Sequence, residues 1–282
     1  MPYLSSEHAG GIEIYYESSG SGEPVVLIGG LTSTLEAWGL QVPALAPRYR
    51  VLRPDNRGSG RTRLHADDGV RSFDRFAGDI LALVDGLGID RFHLVGASLG
   101  GLMAQAFAVH YGDRLATLSI LCSTPGEEHG VPVDPQALAA LVAGSGEIAR
   151  GGPDAVAEGA GIDGFTRAIM HPDTPRERPE ALRFYFGTKE AHPHSPEEIE
   201  RRQQNGGANY WDALPDITCP TLLMTGDADV LVPPENSSIL AQRIPNGEIQ
   251  VVEGGGHIFF IEQPDATNAT LLNFLGRHPI QG

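Results

Sequence analysis

Gly96-Ala97-Ser98-Leu99-Gly100 lies between two apolar stretches, and its reading decides the fold. Before it, Phe92-His93-Leu94-Val95 reads as a buried strand; after it, the small-residue stretch from Leu99 to Tyr111 reads as a buried helix. G-x-S-x-G between a strand and a helix is the sequence form of the nucleophile elbow, a turn so tight that its central serine is pushed out of the backbone. A serine there occupies a sparsely populated φ/ψ region, a strain of roughly 1–3 kcal/mol that folds keep at functional sites. The two glycines suit that turn, because a Cβ at either position collides with the neighbouring strand or helix. The strand-before, helix-after context gives the pentapeptide its weight in a glycine-rich chain.

Outward from this turn, strand and helix alternate. Ile12 to Tyr16 reads as an edge strand, and Val25 to Ile28 is a continuous apolar run of the kind a doubly covered parallel strand shows. Tyr49 to Leu52 is the next strand. Ser72 reads as an N-cap, followed by Phe73, Phe76, Ile80, Leu83 and Leu87 at helical spacing, with Gly86 and Gly88 marking the end. Leu115 to Leu121 continues the pattern. This density of alternation predicts an α/β fold, a mostly parallel doubly wound sheet with helices on both faces. The rhythm breaks near Ser123. From Pro125 to about Asn209 the patterning is helical, at Gln136 to Val142, Ala155 to Met170, Pro179 to Phe186 and Pro196 to Gln204. Strand signals return at Thr221 to Met224 and Ile249 to Val252, and a last helix runs from near Pro264 to Phe274-Leu275. The expected organisation is a first core part at 1–124, a helical cap insertion at 125–210 and a second core part at 211–282.

A serine hydroxyl is too weak an acid to attack a carbonyl unaided; it needs a base, and the base needs an orienting carboxylate. Met224-Thr225-Gly226-Asp227-Ala228-Asp229 leaves the end of one strand, and Gly254-Gly255-Gly256-His257 leaves the end of the next. Catalytic groups of open α/β sheets gather at the carboxyl ends of the strands, so Ser98, His257 and one of the two aspartates are expected on one rim. Asp229 is favoured as the acid, with Asp227 the alternative. Two backbone N–H groups must hold the oxyanion. Leu99 supplies one, and the loop after Val25 to Ile28, at Gly29-Gly30-Leu31, supplies the other through the Leu31 N–H.

These residues, with Trp38, the block Asp55-Asn56-Arg57-Gly58-Ser59-Gly60 and Pro233, resemble the α/β-hydrolase family from about residue 10 to residue 276. Five blocks in the right order make the resemblance specific. Within the family the chain is most similar to the enol-lactone hydrolases and aclacinomycin-type methylesterases, small capped esterases. The resemblance implies that Arg57 is a structural arginine holding its loop. One departure stands out: the family usually has histidine before the oxyanion-loop glycine, and Gly29 stands there, which predicts that other contacts hold this loop.

The 282 residues carry a formal net charge of −16, a field that repels nucleic acid and anionic membranes. Neither a secretory signal nor a membrane-length apolar run is read, so a soluble cytoplasmic protein is expected, with Cys122 and Cys219 as free thiols. Metal use by Asp227 and Asp229 lacks further ligands nearby in sequence. His192-Pro193-His194 reads as a proline-containing loop with exposed histidines. Gly159-Ala160-Gly161-Ile162-Asp163-Gly164 matches a dinucleotide-binding string by chance, with no strand before it. Phe165, Phe184, Tyr185, Phe186 and Trp211 either line the substrate pocket or form the insertion's own core. Arg167, Arg183 and His171 either meet a substrate carboxylate or sit on solvated helix faces. Gly30, Ile258, Phe184 and Trp211 are the substrate-binding candidates. The expected activity is that of a serine hydrolase, without cofactor or metal, cleaving a small-molecule ester or lactone, as a monomer or homodimer. The same triad also serves C–C bond hydrolysis, perhydrolysis or a non-hydrolytic tailoring reaction, and a ligand receptor on this scaffold is a further alternative.

Overall fold

The computed structural model describes residues 2–126, 128–144, 162–192, 194–204 and 209–280. Nine strands, β1 Tyr3–Ser6, β2 Ile12–Ser19, β3 Glu23–Ile28, β4 Tyr49–Pro54, β5 Arg63–Leu64, β6 Phe92–Ala97, β7 Leu115–Leu121, β8 Thr221–Gly226 and β9 Gly247–Val252, form one sheet. Its order is β1-β2-β4-β3-β6-β7-β8-β9, with β5 paired to β2. Every pair from β4 across to β9 is parallel, and the pairs made by β2 are antiparallel. The parallel strands alternate their side chains between two apolar layers, as a period of two requires. Val25, Leu27 and Val51 face one cluster, while Val26, Ile28 and Leu52 face the other.

Helix α1 (Val42–Leu45) precedes β4, and α2 (Phe73–Gly86) starts where the Ser72 hydroxyl accepts from the Arg75 N–H at 3.3 Å. Helix α3 (Leu99–Tyr111) follows the Ser98 turn. Between β7 and β8 lie α4 (135–144), α5 (Ile162–Ile169), α6 (Thr174–Glu177), α7 (Pro179–Ala191) and α8 (Pro196–Gln204). The chain closes with α9 (Glu235–Arg243), α10 (Phe259–Glu262) and α11 (Pro264–Arg277).

Two expectations change. The strand at Ile12 is not at the edge, because β1 pairs beyond it with Tyr3 opposite Tyr15; β1 is too polar and short to stand out in the sequence. Helix α9 was not anticipated, since Leu240 is the single apolar side chain it buries fully, beside Asn236 and Ser237. Of the helix expected over Ala155 to Met170, residues 155–161 lie outside the described residues, as does the Gly159-Ala160-Gly161 half of the chance glycine string. No helix among the described residues is long and apolar enough to cross a membrane. Cys122 and Cys219 are both free.

Candidate active site

Three strand ends and three turns bring the polar groups together. Ser98 leaves β6 with φ 56° and ψ −122°, the left-handed region a non-glycine residue avoids. Backbone bonds hold that turn: the Ser98 N–H donates to the Leu121 carbonyl at 2.8 Å, and the Ser98 carbonyl accepts from the Gly101 N–H at 2.8 Å. The Ser123 hydroxyl donates to the same carbonyl at 2.8 Å. A Cβ on Gly100 would lie 2.5 Å from the Ile28 carbonyl oxygen, so only glycine lets β3 approach the first turn of α3.

His257 Nε2 lies 2.9 Å from Ser98 Oγ, and His257 Nδ1 lies 2.8 Å from Asp229 Oδ2. Asp229 and His257 are both buried. The other Asp229 oxygen accepts from the Leu231 and Val232 N–H groups at 3.0 and 2.8 Å. An ionised carboxylate only accepts, so its contact with Nδ1 puts the imidazole proton there and leaves Nε2 free to accept from the serine hydroxyl. Asp227 is turned elsewhere; its Oδ1 accepts from the Gly254 N–H at 2.7 Å. Of the two aspartates, the fold brings Asp229 to the imidazole.

The histidine loop is braced by a carboxylate absent from the sequence expectations. Glu262 accepts from the Gly256 N–H at 2.8 Å, the His171 N–H at 2.7 Å and the Thr174 hydroxyl at 2.5 Å. Burial pushes its pKa up against the pull of those donors. One carboxylate therefore ties the loop before His257 to the chain between α5 and α6, and the Ile258 N–H adds a bond to the Ile169 carbonyl at 3.0 Å.

Residues 23–264 match the alpha/beta hydrolase fold. The chain belongs to the alpha/beta hydrolase fold family. A protein of Azorhizobium caulinodans provisionally named carbamate hydrolase RutD is 29% identical over 281 residues, covering 98% of each chain. A thermophilic esterase from Thermogutta terrifontis superposes with a TM-score of 0.80 at 28% identity, covering 99% of each chain. The enol-lactonase from Burkholderia xenovorans LB400 superposes with a TM-score of 0.76 at 26% identity, covering 96% of this chain and 99% of its own.

In this hydrolase-fold chain Ser98 opens onto two chambers. One, of about 30 Å³, is lined by Gly30, Tyr185, His257, Ile258 and Phe260, among others. The second, of about 180 Å³, is lined by Leu31, Leu99, Leu102, Val133, Leu138 and Leu231, among others, and His257 does not border it. Of the substrate-binding candidates, Gly30 and Ile258 line the smaller chamber. A Cβ on Gly30 would lie 2.9 Å from that of Ser98. Trp211 and Phe184 border neither chamber. Trp211 stacks on the His129 ring at 4.5 Å under the Arg243 guanidinium, a cation–π contact, and Phe184 packs over Gly39, where the missing side chain leaves room for its ring. Of that set Tyr185 lines the smaller chamber together with Ser98, while Phe165 and Phe186 pack in the same apolar layer as β3 and β6. Arg167 and Arg183 are exposed.

Arg57 pairs with Asp79 of α2 through bonds of 2.9 and 2.6 Å, a buried bidentate contact that holds its loop. His194, expected at the surface, is buried, with Nε2 2.9 Å from Ser59 Oγ. Burial, reinforced by Arg202, Lys189 and His192, pushes it down to about 2, so it stays neutral. Among the described residues no group of three or more His, Cys, Asp or Glu side chains could hold a metal ion.

The acid-bordered pair Arg201-Arg202 suits a solvated helix face in the sequence, yet Arg202 is buried, and Lys189 is a second buried base that the sequence did not single out. Lys189 Nζ donates to the Thr32 carbonyl and to the Thr32 hydroxyl at 2.9 Å, with the Tyr185 ring 4.7 Å away. Burial, with Arg202 nearby, pushes its amine down to about 7. Arg202 donates to Glu198 at 3.1 Å, the Leu31 carbonyl at 3.0 Å, the Arg57 carbonyl at 2.7 Å and the Ser59 hydroxyl. The available signal was spacing: Ala181, Tyr185 and Lys189 recur every four residues on one face of α7, so the lysine belongs to a buried stripe.

Proposed function

We propose that this protein is a serine hydrolase that cleaves carboxylic esters or lactones of small apolar molecules through an acyl-enzyme. The observation that carries the reading is the chain of two hydrogen bonds from Ser98 through His257 to Asp229. Ser98 Oγ attacks the acyl carbon as His257 Nε2 takes its proton. Asp229 holds the tautomer and stabilises the imidazolium. The Leu31 and Leu99 N–H groups hold the oxyanion. His257 then protonates the departing alcohol, takes a proton from water, and the resulting attack frees the acid and regenerates Ser98. No cofactor takes part in these steps. Residues 125–210 act as a cap over the core parts 1–124 and 211–282.

The leaving oxygen must lie near His257 Nε2 to be protonated, and His257 borders the smaller chamber. The alcohol therefore departs through the smaller chamber and the acyl chain fills the larger one. A cavity of about 150 Å³ accepts a benzene ring, so the larger chamber suits an acyl group of roughly six to eight carbons. The esterase and lactonase relatives support ester and lactone chemistry, and the relative named for carbamate hydrolysis makes a carbamate the second reading, with the same attack on a carbonyl carbon.

Fluorophosphonate labelling with peptide mapping, run beside a panel of esters, lactones and carbamates, tests the proposal. Modification at Ser98 together with turnover of an ester or lactone is expected. A folded protein left unlabelled at Ser98 overturns the mechanism, and turnover restricted to carbamates overturns the substrate class.

A further inference from the structure

The loop after β3 belongs to no strand or helix until the short 3-10 turn at Leu35–Trp38, yet every carbonyl from Gly29 to Leu35 accepts a hydrogen bond. Two bonds are local: Gly30 accepts from the Ser33 N–H at 3.3 Å, and Thr34 from the Ala37 N–H at 3.2 Å. The other five come from side chains elsewhere. Asn56 donates to Gly29 at 2.9 Å, Arg202 to Leu31 at 3.0 Å, Lys189 to Thr32, Ser59 to Ser33 at 3.3 Å and Arg53 to Leu35 at 3.2 Å.

The N–H assigned to the oxyanion belongs to the peptide between Gly30 and Leu31. A planar trans peptide points its N–H opposite to its C=O, so turning that N–H requires the whole unit to rotate against its neighbours. Asn56 pins the peptide before it, and Arg202 pins the peptide after it, with Lys189 holding the next. Gly29 cannot brace the loop with a side chain of its own; these contacts do so instead.

Two of the pins are buried basic side chains from α7 and α8. Arg202 has Glu198 as a counter-charge, itself bound by Arg71 at 2.8 Å. Lys189 has no carboxylate partner among the described residues; two oxygens of Thr32 and the face of Tyr185 receive it. Burying a lysine amine without a counter-ion is an expensive way to gain stability. Positioning accounts for it better, since folds break local rules at functional sites.

We propose that Lys189 and Arg202 are positioning residues for the reaction, holding the Thr32 and Leu31 carbonyls so that the Leu31 N–H stays aimed at the oxyanion. The inference rests on the serine-hydrolase reading above. It makes the oxyanion hole a shared product of the strand end and two helices inserted between β7 and β8.

The test uses Lys189→Met, which keeps the apolar stem and removes the donor, and Arg202→Lys, which keeps a charge beside Glu198 but cannot span both the Leu31 and Arg57 carbonyls. Three quantities are measured: kcat and KM on a short-chain p-nitrophenyl ester, and the inhibition constant of an alkylboronic acid, whose tetrahedral adduct places an oxygen where the oxyanion forms. Each variant is expected to lose about 10- to 100-fold in kcat, the scale of a small misplacement of a reacting group. KM should stay within about twofold, and boronate affinity should fall by the same factor as kcat. A merely structural role lowers Tm and leaves those ratios unchanged. Folded variants that keep kcat and boronate affinity within about twofold overturn the inference, as does failure of both variants to fold. If one fails, the other decides. A wild-type protein that neither turns over esters nor labels at Ser98 brings down the underlying reading, and this inference with it; an active, labelled wild type beside unaffected variants brings down this inference alone.

Discussion

The strand rim and the helices between β7 and β8 build their halves of the site by opposite means. On the rim, backbone geometry does the placing: a strained turn presents Ser98, while main-chain N–H groups seat Asp229. In the helices, charged side chains do it: Lys189, Arg202 and Glu198 are buried and reach from α7 and α8 into the loops at 29–33 and 57–59. Main-chain placement is short-range and rigid, whereas a long buried side chain couples two regions that touch nowhere in sequence. On the proposed mechanism, the reacting groups come from the sheet, while the aim of one oxyanion donor is set by the helices.

The sharpest way to break this division is to remove rim groups. On the proposed mechanism Ser98→Ala should reduce kcat by about 10⁶-fold, the loss seen where a serine triad acts as a unit. Asp229→Asn should cost about 10⁴-fold through the wrong histidine tautomer. Asp227→Asn should leave kcat within a few-fold, since Asp227 serves the Gly254 amide. Steady-state kinetics on one ester series separates the three, and comparable losses at both aspartates would sink the assignment of Asp229.

A medium effect should come from the wall contributed by the inserted helices. Leu138 borders the larger chamber, and Leu138→Phe fills part of it. The kcat/KM for an octanoyl ester should fall about 10-fold, in the range that excluded methylene contacts command. The acetyl ester should change little. An equal loss on both would show that acyl chains do not lie in that chamber.

The smallest expected effect is on stability. His194 is held neutral in the folded chain down to about pH 2, whereas its usual pKa is near 6.5. Below pH 6.5 the unfolded chain binds a proton that the folded chain does not. Its contribution is therefore complete above pH 6.5 and drains away as the pH falls towards 2. His194→Gln preserves a partner for Ser59 and should flatten the variant's own loss of denaturation midpoint over that window, so that it gains on the wild type as the pH falls. Parallel curves for the two would assign acid sensitivity elsewhere.

Much of the rim was legible beforehand because its signals are local. A strand, a glycine-flanked serine and a helix are adjacent in the chain, and β7 and α3 were placed to the residue. What escaped was set by burial at a distance. Helix α9 hides one leucine among polar residues, and β1 earns its place by pairing with β2. His194 looked exposed because its neighbours are polar, yet α8 and the Ser59 loop enclose it. Trp211 and Phe184 looked like pocket residues because large aromatics are, in sequence, indistinguishable from packing residues.

From the order of its residues alone, this chain determined an α/β architecture and the three groups expected at one sheet edge, because turn chemistry and strand periodicity depend on neighbours a few positions away. Only the tertiary structure decided that Asp229 rather than Asp227 meets His257, and that Asn56, Lys189, Arg202 and Glu262 brace the loops around them. Those contacts join residues up to 171 positions apart, as between Arg202 and Leu31. No local pattern encodes them, since a side chain's partner across such a distance is chosen by which surfaces pack and which polar groups must be satisfied once water is gone.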